Sequence, residues 1–161
     1  MSTEGIANEL KMSKEFLDRS TRVLEEADSG YTPKEGMFTV SQQMAHIAQT
    51  VDWFIEGGFG KGFNMDFESH IIEFRKVTSL NEARALCDRA YADAIKLIGS
   101  KTMAELMEPL PDGPIMGGAP KMAIIGSIAE HTAHHRGILT VYSRLLDKVP
   151  AMPYMDAAPT A

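Results

Sequence analysis

The chain has 161 residues, a net charge of −6, and 44% hydrophobic against 24% charged residues. This fits one soluble globular domain with a full core of its own. The acidic balance, with no cluster of Lys and Arg, excludes a nucleic-acid-binding surface. The single cysteine, Cys87, excludes an internal disulfide and fits a reducing compartment. MSTEGIANELKMSKEF has no apolar h-region and no apolar run nears the ~20 residues of a membrane span, so a cytoplasmic protein without a signal peptide is expected.

Residues 4–27 have helical period, with Ile6, Leu10, Phe16, Leu17, Val23 and Leu24 on one stripe and Lys11, Lys14, Glu15, Arg22 and Glu25 opposite. Ser29-Gly30 ends the helix. A second runs from Thr39 as N-cap to Glu56, before Gly57-Gly58, with Val40, Met44, Ile47, Val51 and Phe54 inward. His46 and Trp53 share one flank of that stripe. Residues 57–79 break the period, except that ESHIIEFRK can make a short helix. Leu80 to Ser100 is a third long helix, with Ser79 as N-cap and Glu82 completing a capping box. LMEPLPDGPIMGGAP is a turn-rich connector. Pro120 stands near N1 of a fourth helix reaching Asp147, and the tail VPAMPYMDAAPTA reads as irregular. No segment alternates as a strand does. The expectation is all-α: one domain over residues 1–161, a four-helix bundle. The ten-residue connection after the first helix suits antiparallel neighbours. The crossover of over twenty residues after the second favours an up-down-down-up order.

The fourth helix holds His131, His134 and His135. At about 100° per residue, Ile124, Ile125, Ile128, Ile138, Leu139, Tyr142, Leu145 and Leu146 define an apolar arc. His135 falls near its middle, His131 inside it and His134 at its edge. Lys121, Glu130, Arg136 and Arg144 lie opposite. Buried imidazoles need partners. Each ring can bond a core carbonyl or hydroxyl; equally, two imidazoles spaced i,i+4 can share one metal ion. His46 adds a third imidazole from another helix, the number a metal takes when one position stays open. His70 falls in the crossover, whose conformation the pattern does not define.

QQMAHIAQTVDWF on an early helix, EHTAHHRGILTVYSRLL on the last and KVPAMPYM after it resemble the DinB/YfiT-like superfamily of metal-binding four-helix bundles. The most specific element is H-x-x-H-H-R-G with one histidine some ninety residues earlier. The resemblance implies a divalent metal (Zn, Ni, Mn or Fe) on His46, His131 and His135, with His134 off the metal, and a homodimer. Ile138 departs from the pattern, since relatives often carry glutamine there, which puts a polar contact behind the metal ligands in doubt. The resemblance further implies either thiol-dependent transfer with low-molecular-weight thiols such as bacillithiol or mycothiol, or metal-dependent hydrolysis.

An open three-histidine site can activate water or bind a substrate thiol as thiolate. No carboxylate stands near the three histidines, because Glu130 lies on the solvent arc and Asp52 on the far side of its helix; this favours the thiolate. The expected function is a metal-dependent thiol S-transferase-like enzyme. A hydrolase and a non-catalytic metal-binding stress-response protein are the alternatives. Trp53, Phe59 and Phe63, with Met65 and Phe67, are candidates to bound a substrate pocket, the simpler reading being a connector that tucks its aromatics against the bundle. Cys87 reads as a packed thiol, Arg136 as a surface or dimer contact, and the eleven methionines as core filler.

Overall fold

The computed structural model describes residues 3–155. It is all-helical among those residues: α1 (Thr3–Thr21), a 3-10 turn (Glu26–Asp28), α2 (Val40–Phe59), α3 (Phe67–Arg75), α4 (Leu80–Gly99), α5 (Met103–Met107) and α6 (Ala123–Leu145). The extended pairing among them is one isolated bridge, Pro109 to Pro120. No helix is long and apolar enough to cross a membrane.

The four long helices share one core. Leu10, Ile47, Ile98, Ile124 and the rings of Tyr91 and Tyr142 are fully buried in it, each large side chain contributing about 1.5–3 kcal/mol by leaving water. α1 packs on α4 and α6, and so does α2, so α1 and α2 face each other across a diagonal. The expectation of α1 and α2 as packed neighbours is therefore corrected: the loop between them spans the end of the bundle. Ser13 meets Tyr91 while Thr21 meets Arg84, so α1 and α4 run oppositely. Met44 meets Cys87 while Asp52 meets Arg89, so α2 and α4 run together. Gln43 meets His135 while Gly58 meets Ile124, so α2 and α6 run oppositely.

Helix ends differ from the sequence reading where tertiary contacts act. α1 stops at Thr21, not residue 27. There the Thr21 hydroxyl bonds the Leu17 carbonyl, and Arg84 takes the Thr21 carbonyl at 2.7 Å. α2 begins at the Thr39 cap, with Gln42 completing a capping box. It runs through Gly57-Gly58 to Phe59, because these glycines serve close packing: a Cβ on Gly57 would overlap the Phe63 ring, and one on Gly58 would press Ile124 at 3.0 Å. Ser79 caps α4 by accepting from the Glu82 amide at 3.1 Å. α5, with its Thr102–Glu105 capping box, precedes the connector. α6 starts three residues after Pro120, since Pro120 belongs to the turn whose carbonyl accepts from Ala123.

Two surface expectations are corrected. Leu145 lies 55% exposed, outside the buried arc, and of the methionines Met12, Met37, Met65, Met107, Met152 and Met155 stand exposed while Met44 fills the core. The tail through Met155 is irregular, with Ala151 buried and the Pro153 carbonyl held by Arg19 at 2.9 Å. The rest of that expectation, residues 156–161, lies outside the described residues.

Candidate metal centre

α2 and α6 cross so that His46 faces His131 and His135. The i,i+4 pair presents two rings one turn apart, with centroids 4.4 Å from each other and 4.9 and 4.7 Å from the His46 ring. One nitrogen from each ring lies within 4.8 Å of the other two. Nε2 of His46 and Nε2 of His131 are 3.2 Å apart. Bonds of ~2.0–2.1 Å to one tetrahedral ion would put them about 3.3 Å apart.

The surroundings orient the rings. His135 Nδ1 donates to Gln43 Oε1 at 2.6 Å, which leaves Nε2 as its lone-pair nitrogen, the arrangement that fixes a metal-ligating tautomer. Gln43 sits one turn before His46 on the same face of α2 and is buried. It was missed by the sequence reading, although its i,i+3 spacing from His46 was the available signal. It supplies a buried polar partner to His135 from α2. His46 is flanked by the rings of Phe74 at 4.7 Å and Phe38 at 6.0 Å. The Thr50 hydroxyl lies 3.5 Å from His131 Nε2.

Electrostatics keep the set neutral. Burial, reinforced by the other imidazoles, pushes His135 down to about 3 and His131 to about 4. Burial also lowers His46, against a partly opposing contact from Gln49. Neutral imidazole is the form that ligates a metal. The donor set fits one: beyond each other the converging nitrogens meet only the Thr50 hydroxyl, at 3.5 Å from His131 Nε2, and His46 Nδ1 is buried without a hydrogen-bond partner.

A family model described as the DinB superfamily matches residues 11–139. The chain belongs to the DinB superfamily. No curated protein matches it. In this DinB chain the pair placed inward by periodicity, His131 and His135, converges with His46 from the flank of α2, and the three could hold a metal ion. His134 is exposed and touches the metal centre only through the back of the His135 ring, with centroids 4.9 Å apart.

A cavity of about 380 Å³ opens beside His46 and His131, walled by Thr50, Trp53, Phe67 and His70. Trp53 packs under the crossover rather than into the core, donating Nε1–H to the Asn64 carbonyl at 2.7 Å. Phe63 stands behind Trp53, ring centroids 4.8 Å apart, and does not line this cavity. Phe59 lies at the far end of α2, its ring 5.8 Å from both Lys101 Nζ and Lys121 Nζ. His70 and Phe74 reach the cavity because α3 folds back across α2, which no local pattern in the crossover signals. Cys87 is inert packing: burial pushes its thiol up to about 12, and it donates to the Met44 carbonyl. Arg136 stacks over Phe16 at 5.7 Å, away from the histidines.

Proposed function

We propose that this DinB protein is a metal-dependent S-transferase-like enzyme acting on a small thiol. The observation that carries it is the lining of the cavity beside His46 and His131: imidazoles, an amide, a hydroxyl and aromatic and aliphatic side chains, with no carboxylate among the described residues. A divalent ion on the three histidines would supply a lowered pKa to a thiol or water at its open position. Hydrolysis wants a base beside that position, whereas an anionic sulfur needs only the net positive charge that three neutral imidazoles leave on the ion. Trp53, Phe67 and Phe74 give an electrophile an apolar surface. A thiolate formed at that open position, its proton lost to solvent, would attack the electrophile's carbon as the C–halogen bond breaks to release halide or the epoxide C–O bond breaks and its oxygen takes a proton from solvent.

Loading the protein separately with Zn²⁺, Ni²⁺, Mn²⁺ and Fe²⁺, and offering a panel of small thiols with an epoxide or aryl halide, tests this. Metal-dependent conjugation above the uncatalysed rate is the expected result. Ester or amide hydrolysis without conjugation transfers the proposal to the hydrolase, for which His70 on the cavity wall is the available base. Silence in both assays leaves a metal-binding protein. A homodimer belongs to the same proposal, supported by Val141 and Leu145 exposed one turn apart on α6; sedimentation equilibrium checks it.

A further inference from the structure

A second concavity, about 410 Å³, lies on the other flank of α2, between α2, α3 and α4. Its floor is apolar, made by Ala45, Ala48, Val77 and Leu86. Gln49, Trp53, His70 and Phe74 line both this groove and the metal-side cavity, so they form a partition between the two. The partition is pinned at one point of the crossover: the Asn64 carbonyl accepts Trp53 Nε1–H at 2.7 Å and lies 3.4 Å from His70 Nε2.

The groove's polar groups are acidic in excess. Asp52, Glu56 and Glu73 face one guanidinium, Arg89. Arg89 is already committed to Asp52 by two bonds of 3.0 and 2.6 Å, and Glu73 is paired with Lys76 at 2.6 Å. Glu56 takes only the backbone N–H of Lys61, at 3.0 Å, and has no ion pair among the described residues. An apolar cleft of this size with a few polar groups at its edge suits a small organic molecule. The unpaired carboxylate favours a cation there, and an anion would meet three carboxylates and no free positive charge.

We infer that this groove binds a small organic ammonium ligand, its hydrocarbon part on the Ala48–Leu86 floor and its charged end towards Glu56.

Trp53 is the only tryptophan of the chain, so its fluorescence reads binding directly in metal-free protein. The probes are phenethylamine, phenethyl alcohol and hydrocinnamate, which share an apolar body and differ in charge. The expected result is a saturable change with the amine tightest and hydrocinnamate weakest. The amine should lead the alcohol by about threefold, as for an exposed ion pair, and the lead should shrink with added salt. Glu56→Gln should bring the amine level with the alcohol and leave the alcohol unchanged. Leu86→Phe fills the groove without touching the metal-side cavity, and should abolish the response while metal content stays. Equal binding of the three probes, no saturable change, or a response that survives Leu86→Phe would overturn the inference. Should Leu86→Phe lose its helical circular dichroism, the surface variant Glu56→Gln decides. Groove binding with no conjugation activity sinks the transferase reading alone; conjugation with a silent groove sinks this inference alone.

Discussion

Gln43 and His135 form the tightest polar contact at the metal centre, a bond of 2.6 Å between two buried side chains on facing helices. A buried imidazole without such a partner turns freely between tautomers and loses a fixed lone pair. Gln43→Ala should therefore weaken metal binding by about 10–100-fold, the usual cost of removing a group behind a ligand, as read by competition with a chelating dye. Unchanged affinity would mean that packing alone orients the ring. The adjacent histidines separate ligand from neighbour: His135→Ala should abolish stoichiometric metal, and His134→Ala should retain it, because the exposed His134 ring only abuts His135. Elemental analysis of the two variants checks this.

At the scale of the element, α2 carries Gln43, His46, Thr50 and Trp53, so its start positions the whole site. The Thr39 hydroxyl accepts from the Gln42 amide at 3.3 Å, and the Gln42 side chain returns to the Thr39 amide at 3.0 Å. Thr39→Ala should cost about 1 kcal/mol and lower Tm by about 2–4 °C, with metal stoichiometry unchanged; calorimetry reads both the shift and its absence. This cap was legible because it is local, one hydroxyl and one amide three residues apart. The far end of α2 was not, because Gly57 and Gly58 look like a stop and instead make room for Phe63 and Ile124, which come from elsewhere in the chain.

For the whole molecule, the core that joins all four long helices does not depend on the metal. Chelation should leave helical circular dichroism in place and lower the unfolding midpoint, since an ion that binds only the folded state stabilises it by mass action. Complete unfolding on chelation would contradict this. Acid should act through the same rings. His135 and His131 have folded-state values of about 3 and about 4, below the ~6.5 of an unfolded chain. As pH falls, the unfolded state takes up protons first. The stability of the metal-free protein is thus fully present above about pH 6.5 and declines from there towards pH 4. Urea midpoints at about pH 7 and pH 5 should show the loss, and a variant with both rings replaced by glutamine should show less of it.

Periodicity along one helix determined the fold class and the inward face of α6, because which side of a helix meets the core depends on residues three and four apart and on nothing remote. The same rule set His131 and His135 inward and His134 at the edge of the arc before any partner helix was placed. It could not supply Gln43 for His135, Phe74 for His46, or the partition that Trp53 and His70 make between two cavities. Those contacts join positions 28 to 92 residues apart or depend on how the crossover folds back on α2. Only the packing of α3 over α2, and of α2 against α6, decides them, because side chains distant in sequence meet at a spacing that no local pattern encodes.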